Sequence, residues 1–283
     1  MALLEEHRRF FAQLVVRGAG SSDSRLVAAF SQIAREDFLE AGPWWVCAGE
    51  GYLPTPDADP RWLYQDVLVG LDPQNHINNG QPSLHAQCLA AAAPREADSV
   101  IHVGAGAGYY SAILAHLVGP TGNVLAFERE LALAKKAAAT LKRWPNVELR
   151  AQCAVTQGSD DTALPPADVI YVNAGVAELP APWLDALKPG GRLVLPLTPD
   201  DGYGLLLQIT RTGTGRFSAW GLGRAGFTPC VGTRDTCASR SLAHALGVET
   251  WREIRSLVRG DNPDASAWCH GRGWWLSRSP PEP

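Results

Sequence analysis

The residues of this chain best suited to chemistry gather around one glycine run. Val100-Ile101-His102-Val103 is a short apolar stretch with the length of a buried strand. It runs into Gly104-Ala105-Gly106-Ala107-Gly108 before a helical pattern begins at Tyr109. Glycines at alternate positions let the backbone turn tightly and let a ligand approach the main chain itself. A dinucleotide fingerprint would place glycine at 109. Tyr109 stands there instead, which weighs against a nicotinamide cofactor and leaves a plain tight turn as the competing reading. Glu128 tips the balance. It follows a second strand, Asn123 to Phe127, and a carboxylate at that strand end can accept hydrogen bonds from both hydroxyls of a ribose. A merely solvated glutamate beside Arg129 and Glu130 would have no such role. Strand, glycine loop, helix, strand and acid in this order point to a nucleoside site.

Three further side chains carry two readings each. His102 is either a buried neutral imidazole satisfying a backbone group or a ligand contact. His85, three residues after Pro82 on a predicted helix, is structural or part of a site. Asn173 is a turn residue before Gly175, or a polar group at the carboxyl edge of the sheet, where ligands gather.

Elements must hold these groups in place. In the first 40 residues Phe10, Phe11, Leu14 and Val15, then Leu26, Ala29, Phe30 and Ile33, repeat at helical spacing, with a break at 18–23 and Ser22 or Asp23 as a cap. Residues 42–82, rich in Pro, Gly, Asn and Trp, predict a long packed connection without regular elements. From Ser99 strands and helices alternate. Strands fall at 100–103, 124–127, 147–149, 168–172, 192–197, 205–210 and 217–221, and helices at 109–118, 131–144 and 182–187. Such alternation predicts an α/β fold with a parallel sheet covered on both faces, here seven strands, mostly parallel, with the late adjacent strands as an antiparallel edge hairpin. Beyond 235 the spacing of Leu242, Leu246, Trp251, Ile254, Leu257 and Val258 predicts an amphipathic helical region. Trp274-Trp275-Leu276 predicts a final strand, and 280–283 a frayed end. The organisation expected is 1–82 as a helical segment and covering connection, 83–232 as a nucleoside-binding core, and 233–283 as a Trp-rich extension.

In this order the residues resemble S-adenosylmethionine-dependent methyltransferases, and more narrowly the protein-L-isoaspartate O-methyltransferase family. The resemblance spans roughly 35–232. It rests on Arg35-Glu36-Asp37-Phe38, Tyr64-Gln65-Asp66, Gly80-Gln81-Pro82, the glycine loop, Leu187-Lys188-Pro189-Gly190-Gly191-Arg192-Leu193-Val194-Leu195-Pro196 and Phe227-Thr228-Pro229. It implies a Rossmann-like three-layer methyltransferase fold and S-adenosyl-L-methionine as cofactor. The cofactor would be held by His102, Gly104, Ala105, Gly106, Gly108, Tyr109, Glu128, Arg129, Cys153, Ala154 and Asn173, and Gly80, Gln81 and His85 are the candidate catalytic residues. Three positions depart from the family pattern. Gly80 replaces a serine that faces the acceptor, His102 replaces an acid near the methionine end, and Gln152-Cys153-Ala154 replaces a Gly-Asp-Gly near the adenine. A carboxylate acceptor, with a reference pKa of about 4, is ionised at neutral pH and needs no general base. None is obvious beside the glycine loop. The implied activity is O-methylation of a peptide or protein carboxylate by a specialised relative that tailors a peptide. A small-molecule methyltransferase and a degenerate cofactor-binding module stand as alternatives.

Composition bounds the rest. The 283 residues are 46% hydrophobic and 19% charged, enough apolar content for a packed core. A net charge of −4 with only four lysines argues against a nucleic-acid backbone binder. Six scattered cysteines without a Cys-x-x-Cys pair suggest neither a metal site nor a disulfide framework. The N-terminus does not read as a signal peptide and no run reaches membrane-spanning length, so the expected setting is cytoplasmic, with no membrane partner. Of ten tryptophans, Trp44, Trp45, Trp62, Trp251, Trp268, Trp274 and Trp275 lie outside the alternating region. They either pack the flanking segments or line an acceptor pocket.

Overall fold

The computed structural model describes residues 2–49, 51–155, 163–200 and 203–281. Along the chain come α1 (Ala2–Gly18), α2 (Ser24–Gln32), β1 (Trp45–Ala48), β2 (Gly51–Pro54), β3 (Gly70–Asp72), β4 (Ile77–Asn78), α3 (Pro82–Ala92), β5 (Ser99–Val103), α4 (Tyr109–Val118), β6 (Asn123–Phe127), α5 (Leu131–Thr140) and β7 (Val147–Arg150). There follow β8 (Ala167–Val172), α6 (Ala181–Ala186), β9 (Leu187–Leu197), β10 (Tyr203–Gly213), β11 (Arg216–Gly226), α7 (Thr236–Gly247), β12 (Ser256–Arg259), β13 (Ala267–Gly271) and β14 (Trp274–Ser277). The chain forms two compact units, residues 1–98 with 105–152, and residues 99–104 with 153–283.

In the first unit the predicted helical opening is present. The side chain of Asp23 caps α2 by accepting the amide N–H of Arg25, at 2.8 Å. Phe11 and Phe30 bury the facing sides of α1 and α2, with rings edge-on at 6.3 Å. Residues 42–82, expected to be irregular, contain two short antiparallel pairs, β1–β2 and β3–β4, joined by 3-10 turns. Strands of two to four residues are too short for period-two alternation to show in a sequence. β6 and β7 pair in parallel, and α4 is buried almost all round, which suits a helix packed on several sides.

The second unit orders its strands β13-β14-β12-β11-β10-β9-β8-β5. Only β5–β8 and β8–β9 are parallel, and every other neighbour is antiparallel. The expectation of seven mostly parallel strands is therefore corrected: this unit alone has eight, and the sheet is mixed. The extension beyond 235 adds β12, β14 and β13 to the edge beside β11. Leu257 and Val258, read from the sequence as helical, belong to β12, and the helix ends at Gly247. The final strand predicted from Trp274-Trp275-Leu276 is present as β14, buried at all four positions. Trp251, Trp268, Trp274 and Trp275 are all buried, so they pack the extension. Of the predicted frayed end, Glu282 and Pro283 lie outside the described residues. Among the described residues no helix is long and apolar enough to cross a membrane.

One polar pin fixes the extension. The carboxylate of Glu178 accepts the indole N–H of Trp274 at 2.6 Å and the backbone N–H of Arg272 at 3.1 Å. Burial pushes the Glu178 pKa up, and these hydrogen bonds restrain the shift. Glu178→Ala leaves a buried indole donor without its acceptor and is expected to cost about 1–3 kcal/mol. Chemical denaturation followed by tryptophan fluorescence checks this; an unchanged midpoint means the pin contributes nothing.

Candidate active site

A buried arginine organises the loop in front of α3. Arg35 is 1% exposed. Its Nη1 donates to the carbonyls of Leu63 at 2.5 Å and Gln65 at 3.0 Å, and its Nη2 donates to that of Val67 at 3.2 Å. Carbonyl dipoles solvate the cation, and its flat face lies 5.3 Å from the Phe11 ring centre. Alongside, the Tyr64 hydroxyl donates to Glu36 at 2.5 Å and accepts from Arg8 Nε at 2.8 Å. Burial, then the bond to Glu36, pushes the Tyr64 pKa far above its usual value, so the phenol keeps its proton.

This clamp displays Asp66 toward α3. The helix starts with Pro82, and Gln81 at its N-cap makes no side-chain capping bond. Asp66 supplies one from the loop: Oδ1 accepts Ser83 N–H at 2.8 Å, and Oδ2 accepts Ser83 Oγ–H at 2.6 Å and Gln81 Nε2–H at 2.9 Å. An amide proton of Gln81 is therefore spent on the scaffold. Gly80 precedes it with φ +74°, and its N–H donates to Asn78 Oδ1 at 2.9 Å. His85, 3% exposed, stacks on Tyr110 with ring centres 3.7 Å apart and planes 12° apart. The same unit holds a cavity of about 780 Å³, whose lining includes Trp45, Tyr52, Leu71, His76, Glu130 and Leu133.

The glycine loop is built for close backbone approach. Gly104, Gly106 and Gly108 all have positive φ. At Gly106 the φ of +57° favours glycine, while an added Cβ would meet only Leu71 Cδ1 at 3.5 Å, so that flank of the loop is open. Gly106 N–H donates to Glu128 Oε2 at 2.7 Å and Glu130 N–H to Glu128 Oε1 at 2.8 Å. Glu128 is 7% exposed. Burial raises its pKa, and the backbone donors work against that rise. Each oxygen keeps a further lone pair, so the carboxylate can take two more donors. Ala105 is buried, and its N–H donates to Phe127 O at 3.0 Å. Tyr109 opens α4 with its ring edge-on to Phe38 at 5.5 Å, and among the described residues its buried hydroxyl has no partner. Arg129 is exposed and pairs with Glu130 at 3.4 Å.

In the second unit His102 is fully buried, and its Nε2 lies 2.8 Å from Asn173 Nδ2. Burial lowers the His102 pKa to about 3, so the ring is neutral and Nε2 accepts from the amide. Asn173 Oδ1 is buried without a partner among the described residues. A Cβ on Gly104 would lie 3.4 Å from the Asn173 carbonyl, which makes these three residues one cluster. Cys153 is half-buried, and Ala154 lines a separate cavity of about 160 Å³ with Glu178 and Trp183. Among the described residues no group of three or more His, Cys, Asp or Glu could hold a metal ion. The roles of Arg35 and Asp66 are not visible in the sequence. The available signal is an acid in the loop before a proline-started helix that lacks its own cap.

Comparison with known proteins agrees with this geometry. The sequence model described as protein-L-isoaspartate(D-aspartate) O-methyltransferase matches residues 52–235. A protein-L-isoaspartate O-methyltransferase of Brucella anthropi is 31% identical over 227 residues, covering 78% of this chain and 91% of the relative. Its counterpart in Rhodopseudomonas palustris is 32% identical over 224 residues, covering 78% and 90%. A solved protein-L-isoaspartate O-methyltransferase superposes with a TM-score of 0.64 at 22% identity, over 85% of this chain and 70% of that one. A Plasmodium falciparum protein described as a beta-aspartate methyltransferase, solved with S-adenosyl-L-homocysteine, gives 0.63 at 20% identity, over 80% and 98%. At these identities the structures establish the Rossmann-like methyltransferase fold.

Two outcomes follow from the buried groups. Arg35→Met strands three loop carbonyls and is expected to destabilise the chain by about 3 kcal/mol, read as a lowered denaturation midpoint; an unchanged midpoint would show that the clamp is dispensable. His102 has its pKa lowered on folding, so below about pH 6.5 the unfolded chain binds the proton more readily. Stability should therefore fall between pH 6.5 and 3 by up to about 1.4 kcal/mol per pH unit from this group. His102→Gln should flatten that fall in acid-denaturation curves, and parallel curves would sink the assignment.

Proposed function

The chain belongs to the protein-L-isoaspartate(D-aspartate) O-methyltransferase family, and we propose that it transfers a methyl group from S-adenosylmethionine to a carboxylate of a protein or peptide. Glu128 carries this reading. It is a buried carboxylate, pre-oriented by two backbone N–H groups beside a glycine turn, with lone pairs left for two ribose hydroxyls. The residues present fit a nucleoside. When bound, the cofactor supplies a methyl group on a sulfonium centre that is already activated.

The protein's contribution is positioning, which can supply on the order of 7–11 kcal/mol of barrier reduction. Gly106 and Gly108 let the nucleoside lie against the main chain. Ala105 and Tyr109 wall the loop, and Glu128 fixes the ribose. Exposed Arg129 adds positive charge at the same strand end. The acceptor carboxylate arrives ionised, so no side chain needs to remove a proton. In the second unit Asn173 offers its unpartnered Oδ1 to an N–H or O–H of a ligand. Fully buried His102 acts through Asn173, holding its amide in one orientation. Gly104, Cys153 and Ala154 are assigned to the cofactor by resemblance.

Glu128→Ala should weaken S-adenosyl-L-homocysteine binding at least tenfold by titration calorimetry, equal to at least about 1.4 kcal/mol. Unchanged affinity would refute the ribose role. With methyl-labelled cofactor and an isoaspartyl peptide, the expected product carries base-labile label. Base-stable label on a small molecule from a metabolite extract would overturn the carboxylate reading.

A further inference from the structure

Helix α1 spends only one of its faces on the core. Phe11 and Val15 are each 1% exposed, and Arg8 on the same side is tied to Glu36 and Tyr64. Their sequence neighbours point the other way: Leu3 is 53% exposed, Phe10 67% and Leu14 49%. Spacings of seven and four residues align these three side chains along one line of the helix, with His7 beside it. No other helix or strand among the described residues leaves more than one large apolar side chain exposed. A single exposed leucine needs no explanation, whereas three apolar side chains in a row form a face that gains by being covered.

Charge names the cover. Glu5 and Glu6 are exposed near the start of the helix, and Arg17 is exposed at its end. This polarity suits the helix dipole, and it also makes the exposed face complementary to itself. Two copies of α1 laid antiparallel, with Phe10 on the two-fold axis, set the Glu6 end of each against the Arg17 end of the other. A parallel pair would set Glu6 on Glu6 and Arg17 on Arg17, and an anionic lipid surface would meet the two glutamates. A two-fold contact requires a patch that fits itself, and this one does so in both apolar pattern and charge.

We propose that this face is a homodimer interface, in which α1 packs antiparallel on α1 of a second copy of the chain through Leu3, Phe10 and Leu14, with Glu6 of each copy beside Arg17 of the other. The contact is independent of the methyl-transfer reading. One pair of 17-residue helices buries an area at the low end of specific interfaces, about 1,200 Å² in total, so the dimer forms in the micromolar range and is not obligate.

Sedimentation equilibrium of the full chain tests it. The apparent mass should rise from one chain toward two as the concentration passes through the micromolar range. Phe10→Asp should stay monomeric throughout, with the melting temperature of the wild-type monomer, since the side chain is mostly in solvent. Glu6→Arg should weaken the dimer at least fivefold, and Arg17→Glu likewise. The two changes together in one chain should restore it to within threefold, because the reversed charges again match across an antiparallel pair. A wild-type chain that is monomeric at every concentration overturns the proposal, as does a dimer that survives Phe10→Asp. Should Phe10→Asp fail to fold, the charge reversals decide: a parallel pair would tighten with Glu6→Arg, an interface elsewhere would respond to neither reversal, and both results overturn the proposal. A monomeric wild-type chain that binds phosphatidylglycerol vesicles, with binding lost in Phe10→Asp, would assign the face to a lipid surface instead.

Discussion

The arrangement of the acceptor-side loop depends on one cation placed where water cannot reach it. The Arg35 guanidinium is solvated by the carbonyls of Leu63, Gln65 and Val67. A buried charge without such partners would be untenable, so the three carbonyls and the cation fix each other. From that fixed loop Asp66 reaches the start of α3 and accepts the Ser83 N–H and hydroxyl, supplying the cap that Gln81 does not. Because Gln81 is tied to the same carboxylate, the turn carrying Gly80 is set by a residue more than forty positions away in the chain. Packing, helix capping and site geometry are thus consequences of a single desolvated contact set.

Burial acts in opposite directions on the two chemically marked groups. Glu128 is an acid whose charge is disfavoured by its surroundings, and backbone N–H groups hold it against that pressure. The site therefore offers a carboxylate already oriented and partly desolvated, so little reorganisation remains when hydroxyls arrive. His102 is a base whose charge burial disfavours too; it stays neutral and becomes an acceptor for Asn173. An imidazole at the end of β5 is in this chain an orienting group rather than a titrating one.

The extension beyond 235 shows how tryptophan content can mislead. Seven of ten tryptophans lie outside the alternating region. The four in the extension are buried in the second unit, where β12, β14 and β13 prolong the sheet and Glu178 anchors Trp274. Of the three upstream, Trp44 is buried, Trp62 is exposed, and Trp45 lines the large cavity of the first unit. Large aromatics chiefly seal added strands here, the use that their buried area favours.

Glycine at 104, 106 and 108, the acid at 128 and the alternation of strands and helices from 99 are legible in the sequence because each rests on local spacing. Backbone torsion favours glycine where φ is positive, and a strand followed by a helix leaves its period in adjacent residues. The helix cap at Asp23 is legible for the same reason. Of the extension's strands, β14 is legible as the apolar run Trp274-Trp275-Leu276, whereas β12 and β13 are not, because short strands borrow their identity from neighbours. Nor are the Arg35 clamp, the Asp66 cap and the stacking of His85 on Tyr110. Their partners lie 28 to 32, 17 and 25 residues away, and only packing brings them together. The sequence by itself determined which chemistry the chain can hold. The tertiary structure decided which side chains are spent on scaffold and which remain for a ligand, because desolvation and steric exclusion are set by what surrounds a group in space.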